Sequence, residues 1–161
     1  MEILLHFPET KLVLIGAGRD EVALKRQVDN LGIADSVQFR GWLCSEETIK
    51  EMATAEVLVV PNTGEEGFGL VVAEGMAANT PIVASRIQVF EEVLGADDSC
   101  GWFFDKNNPD SLADAICQVF AQSDEAAARV ARASLRVQER FSVERMVGDY
   151  LRLYDKISTA D

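Results

Sequence analysis

Short apolar runs alternate along this chain with longer stretches of helical period. Lys11 to Ile15, Val37 to Phe39, Val57 to Val60, Ile82 to Ala84 and Gly101 to Phe104 predict strands. Residues 2 to 7 read as the end of a helix that Pro8 closes. Val22, Leu24, Val28 and Leu31 mark an amphipathic helix over Asp20 to Leu31, with Gly32 as its stop. Ser45 reads as an N-cap, with Glu46 and Glu47 in the first turn of a helix that reaches about Ala53. Leu70, Ala73, Ala77 and Ala78 fall on one side of a helix that begins near Phe68 or Gly69, so that side is expected to pack. Val89, Phe90, Val93 and Leu94 give the next helical face, stopped by Gly95.

Asn108-Pro109-Asp110 supplies a cap, a proline at the first helical position and an acid in the first turn, which predicts a helix over Ser111 to Ala121. Ala126 to Arg140 reads as a solvated helix whose arginines are surface charges. Ser142 caps a last helix with an apolar stripe of Val143, Met146, Val147, Tyr150, Tyr154 and Ile157. Strands alternating with helices throughout predict an α/β fold with a doubly wound, mostly parallel, Rossmann-like sheet. In that architecture ligands sit beyond the carboxyl ends of the strands.

The stretch Pro61 to Ser85 carries the candidate chemistry. It leaves one strand, passes Glu66-Gly67-Phe68-Gly69, runs through the helix, turns at Asn79-Thr80-Pro81 and enters the next strand. Gly67 and Gly69 lack a Cβ, so amides at the start of that helix can approach a ligand closely, and the helix dipole favours phosphate there. Glu66 precedes the helix and Glu74 lies about a turn and a half into it. Carboxylates are acceptors and want hydroxyl groups rather than phosphate. An anion cradle bordered by two hydroxyl acceptors describes a ligand that is part phosphate and part polyol, such as a nucleotide sugar.

Glu66-Gly67-Phe68-Gly69-Leu70, then Glu74, Met76-Ala77 and Thr80-Pro81-Ile82-Val83-Ala84-Ser85, resembles the E-x7-E signature of retaining glycosyltransferases of the GT-B class, glycosyltransferase family 4, the group 1 type. The departures are Asn62, where that family usually has Ser, and Gly75, where it usually has Ala. A glycine inside a helix costs about 1 kcal/mol relative to Ala. Ile87-Gln88-Val89-Phe90 also replaces a glycine pair of the loop that closes over the donor sugar. The resemblance implies the C-terminal half of a GT-B fold, with Glu66 and Glu74 as catalytic residues. Glu74 would hold ribose hydroxyls, the amides of Phe68 to Leu70 the diphosphate and Glu66 the sugar hydroxyls, with Gly67 and Gly69 in the same cradle. The family places the loop after the second strand over the nucleotide base, which puts Gly41 and Trp42 there; Trp42 as plain core is an equal alternative.

Composition narrows the remaining classes. The net charge is −12, from 27 acidic and 15 basic residues, which repels nucleic acid and anionic lipid where no basic patch outweighs it. Cys44, Cys100 and Cys117 are too few and irregular for a disulfide scaffold or a zinc site. His6 is the only histidine, which argues against a histidine triad or metal cluster. Gly16-x-Gly18 invites a dinucleotide reading, but the third glycine would fall at Glu21, so a tight turn is the better account. No apolar run is long enough to span a membrane and no signal-type segment opens the chain, so a cytoplasmic location is expected, with peripheral attachment at the inner membrane in a full-length parent as a further option.

The resemblance covers nearly the whole chain, read as one domain over residues 1–161 that binds the sugar donor. It implies that the family's first strand and helix, with their Arg and Lys, and its N-terminal acceptor domain precede this segment. The implied activity is hexosyl transfer from a nucleoside-diphosphate sugar to a saccharide or lipid-linked acceptor in polysaccharide biosynthesis, without a cofactor or metal. The segment alone is expected to be inactive or very weak. A non-catalytic GT-B-like binding or assembly module is the alternative. The absent strand would lie between Lys11 to Ile15 and Val57 to Val60, which leaves a gap in the sheet and favours a homo-dimer.

Overall fold

The structure, a computed structural model, describes residues 2–64 and 66–159. Among them lie the strands β1 (Leu12–Ile15), β2 (Val37–Gly41), β3 (Leu58–Val60), β4 (Ile82–Ser85) and β5 (Trp102–Phe104). The helices are α1 (Glu2–His6), α2 (Glu21–Leu31), α3 (Ser45–Thr54), α4 (Leu70–Ala77), α5 (Gln88–Leu94), α6 (Pro109–Ala121), α7 (Ser123–Phe141) and α8 (Val143–Ser158). A 3-10 turn at Ala34–Ser36, which the sequence pattern had not marked, leads into β2.

Every strand pair is parallel, as the alternating pattern predicts, but the strands form two sheets, β1-β2 and β3-β4-β5. Among the described residues β1 and β3 are not hydrogen-bonded to each other.

The three-stranded sheet is wound on both faces. Ile82 and Ala84 of β4 pack with Val72, Met76, Phe90, Leu94, Ala133 and Val137 from α4, α5 and α7. Val83 points the other way, into a cluster with Trp102, Phe104, Ile116 and Val119. Covered on both sides, β4 is buried at all four positions, which explains its unbroken apolar run. Thr80 continues the same logic: buried before β4, it donates its hydroxyl to Met52 O at 2.7 Å and ties the end of α3 to the sheet.

The two-stranded sheet is packed far more thinly. Leu12, Val13 and Ile15 are exposed despite their apolar character, as are Val22, Leu24 and Leu31 of α2. Met52 is the first buried hydrophobic along the described chain. The stripe of α8 is likewise open, with Tyr150, Leu151 and Tyr154 all more than half exposed.

Three local readings need correction. Cys44, not Ser45, is the N-cap of α3, and its amide donates to Glu47 Oε2 at 3.0 Å. The packed face of α4 is Val72, Gly75 and Met76, while Leu70 is 66% exposed and Ala77 is also exposed. The cause is the close approach of β3 and β4 to that face: a Cβ at Gly75 would collide with Leu58 Cδ2 and stand 3.3 Å from Ile82 Cδ1. Finally, three of the four arginines of α7 are not free surface charges. Arg129 Nη1 donates to Gly101 O at 2.6 Å, Arg132 Nε to Ser99 O at 2.6 Å and Arg136 Nε to Val93 O at 2.7 Å. They tie α7 to the end of α5 and to the segment that joins it to β5.

Candidate functional site

The candidate site is built where β3 ends and α4 begins, beyond the carboxyl end of the sheet, as the architecture requires. Gly69 caps α4 in the left-handed region with φ +82, and a Cβ there would meet Phe90 Cδ1 and Cε1 at 3.0 Å. Backbone and packing thus both call for glycine at position 69. Gly67 is different, because a Cβ built on it meets nothing within 4 Å. Its bareness leaves the approach to the loop open. Val72 and Ala73 donate to Gly69 O, while the amides of Leu70 and Val71 stand at the open first turn of the helix.

Glu66 is half-buried within this loop. Its Oε2 accepts from Asn62 Nδ2 at 2.9 Å, and its Oε1 accepts from Gly69 N–H at 3.4 Å. Phe68 leans edge-on against Phe141, the last residue of α7, with ring centroids 5.5 Å apart. The loop is consequently braced from α7 as well as from its own helix. Glu74 stands one turn beyond Leu70 on the outer face of α4, exposed to solvent. The structure therefore brings Glu66, Gly67, Phe68, Gly69 and Leu70 into one loop and helix mouth, with Glu74 on the same helix.

Gly41 and Trp42 belong to the other sheet. Gly41 has φ +64, and its carbonyl accepts from Gly16 N–H at 2.7 Å, which joins the turns that follow β1 and β2. Trp42 is 84% exposed, so the alternative that made it core is excluded. Beside these turns lies a cavity of about 330 Å³ lined by Gly16, Ala17, Gly18, Arg19 and Phe39. A larger cavity, about 950 Å³ and lined by Phe7, Glu9, Glu56, Pro81 and Phe120 among others, opens at the amino ends of β3 and β4. It lies at the opposite end of the sheet from the Glu66 loop.

The cation next to the site is already engaged. Arg86 follows Ser85, bonds Asp98 and Glu91 through its guanidinium at about 3.1 Å, and covers the Phe103 ring at 4.7 Å. The hydrogen bond to Asp98 holds its pKa above the ordinary arginine value. Among the described residues, no three His, Cys, Asp or Glu side chains converge as a metal-binding group, and no helix is long and apolar enough to cross a membrane.

The sequence profile of the glycosyl transferases group 1 matches residues 1–136. The chain belongs to that family. It is 32% identical over 159 residues to the phosphatidyl-myo-inositol mannosyltransferase of Mycolicibacterium smegmatis, a match that takes in 99% of this chain and 40% of that protein. Sucrose-phosphate synthase from Thermosynechococcus elongatus superposes with a TM-score of 0.84 at 25% identity, over 99% of this chain and 41% of that one. Anabaena HepE in complex with UDP-glucose superposes with a TM-score of 0.80 at 24% identity, over 99% of this chain and 45% of that one. This family member has the Rossmann-like architecture of GT-B glycosyltransferases, and its segment corresponds to their C-terminal domain. It spans about 40% of the length of the mannosyltransferase it matches.

The sequence assigned no part in bracing the site loop to Asn62, Ser85, Phe90 and Phe141, which hold it in place. The usable signals were the polar residue at the mouth of the loop and the polar end of the apolar run at Ser85.

Proposed function

We propose that this domain binds the sugar donor of a retaining GT-B glycosyltransferase whose full-length form transfers a hexosyl group from a nucleoside-diphosphate sugar to a saccharide or lipid-linked acceptor. The observation that carries the reading is the mouth of α4, where bare glycines and first-turn amides stand between two carboxylates. Within the Phe68 to Leu70 stretch, the amides of Phe68 and Leu70 take the diphosphate, whose charge suits a helix N-terminus, while the Gly69 N–H faces Glu66. Glu74 accepts from the ribose hydroxyls and Glu66 from the sugar hydroxyls. Gly41 and Trp42 flank the base, for which the exposed indole offers a stacking face. HepE, the structural relative bound to UDP-glucose, supports the ligand class.

Charge stabilisation of a leaving diphosphate is usually a large catalytic contribution. With Arg86 tied to Asp98 and Glu91, the Glu66 loop offers the diphosphate its amides rather than the Arg86 guanidinium, and turnover is assigned to the full-length protein. The same observation favours the second reading, a non-catalytic module that kept the fold, as does the fully buried Phe90 in the segment that replaces the glycine pair. Sugar transfer assayed on the full-length protein separates the two.

Titration calorimetry with UDP, UDP-glucose, GDP and GDP-mannose tests the binding reading. A hydrogen bond to a charged group contributes ~1.5–3 kcal/mol, so Glu74→Ala is expected to weaken the nucleotide about 10- to 100-fold. Equal binding by wild type and variant would place the nucleotide elsewhere.

A further inference from the structure

Glu66 is held by a chain of hydrogen bonds that starts inside the sheet. Ser85, fully buried at the end of β4, donates its hydroxyl to Asn62 O at 2.5 Å. The side-chain amide of Asn62 then donates to Glu66 Oε2 at 2.9 Å, and Gly69 N–H reaches Oε1 at 3.4 Å. A carboxylate only accepts, so the amide must turn its NH2 toward Glu66 and its own oxygen away. The backbone of Asn62 is thereby fixed by the core while its side chain fixes the carboxylate.

We infer that Asn62 is a positioning residue for the donor sugar, holding Glu66 in the one orientation in which its remaining lone pairs meet sugar hydroxyls. The inference rests on the reading of Glu66 given above. A glutamate side chain is among the most mobile when unrestrained, and ordering it on binding weakens the complex. Asn62 has ordered it in advance. The link from Gly69 N–H, at 3.4 Å, is long for a hydrogen bond and cannot replace it. Because Glu66 is assigned to the sugar and not to the nucleotide, the effect of Asn62 belongs to the sugar alone.

The experiment compares Kd for a nucleoside diphosphate with Kd for its sugar, using UDP with UDP-glucose and GDP with GDP-mannose, on the chain described. Asn62→Ala keeps the backbone carbonyl that Ser85 binds; Asn62→Asp keeps the shape and sets one carboxylate against another. Each is expected to weaken the nucleotide sugar about tenfold, the effect of freeing one long side chain, and to leave the free nucleotide within twofold. In a Glu66→Ala background, Asn62→Ala is expected to add nothing, as for two residues that act as a unit.

Thermal melts accompany each variant, so that loss of fold is read separately, and the isosteric Asn62→Asp serves if Asn62→Ala melts early. Equal weakening of nucleotide and nucleotide sugar, no weakening, or an additive effect on Glu66→Ala would overturn the inference while leaving the donor site intact. A wild-type chain that binds neither nucleotide pair defeats the functional reading itself, and the inference with it, before any variant is made.

Discussion

Arg129 provides the sharpest test of how this domain is held together. Its guanidinium lies over the Trp102 ring at 4.2 Å, donates to Gly101 O at 2.6 Å and to Glu125 Oε1 at 2.8 Å, and its side chain is only 19% exposed. A hydrogen bond from a charged group contributes ~1.5–3 kcal/mol, and a guanidinium over tryptophan ~0.5–2 kcal/mol. The pair with Glu125, whose side chain is 42% exposed, is screened by solvent and adds little. These share one side chain and do not add fully, so Arg129→Ala is expected to cost ~2–4 kcal/mol. At roughly 2–4 °C per kcal/mol for a chain of this size, Tm falls by about 5–15 °C.

Arg129→Lys keeps the charge but not the planar fork, and is expected to recover less than half of the loss. Arg152→Ala is the control, since its side chain is 61% exposed and, among the described residues, its guanidinium pairs with Asp149 on the same helix. Differential scanning calorimetry at neutral pH reads all three. The hydrogen bond from Arg129, then the charges of Arg129 and Arg132, hold the Glu125 carboxyl below its ordinary value. A depressed acid contributes stability above its unfolded pKa and loses it as pH falls through the folded one, so the gap between wild type and Arg129→Ala narrows below about pH 4. An Arg129→Ala protein that melts within 2 °C of Arg152→Ala would refute the reasoning.

Two further outcomes are expected. Sugar transfer by the full-length protein survives EDTA, because amides and hydroxyl acceptors account for the proposed ligand contacts; loss of activity that magnesium or manganese restores would contradict this. Native-state hydrogen exchange protects the amides of β4 and β5 far longer than those of β1 and β2, since buried hydrophobics begin at Met52; equal protection of the two sheets would show that the thin packing of β1-β2 is not a stability difference.

What could be read from the sequence was whatever rests on local chemistry. The turn before β4, the Asn108-Pro109 start of α6, the Ser142 cap of α8 and the glycine at the mouth of α4 all depend on neighbours a few residues away, and each stands where it was expected. The α7 arginines were misread because their acceptors lie 28 to 44 residues upstream, beyond the reach of any periodicity. The face of α4 was misread because Leu70 looks like core by type. Its place at the first turn, on the side of Glu74, turns it outward instead. Asn62 showed only as a polar residue at the mouth of the loop, and its partner could not be read, since the serine that fixes it is 23 residues away on another strand.

The proposed ligand would span two regions of unequal firmness. The sugar and diphosphate side rests on Ser85, Phe90 and Val72, all fully buried, and on α7 through Phe141. The base side rests on Gly41 and Trp42, which follow a strand whose neighbour β1 is largely exposed and whose sheet shares no hydrogen-bonded pair with β3. Burial on both faces fixes β4 and everything hung from its end, whereas the ends of β1 and β2, joined by the Gly16–Gly41 backbone bond, lie in a thinly packed sheet. Affinity for the diphosphate and sugar should therefore be a property of the β3-β4-β5 unit, and base selectivity the part most sensitive to whatever packs against β1.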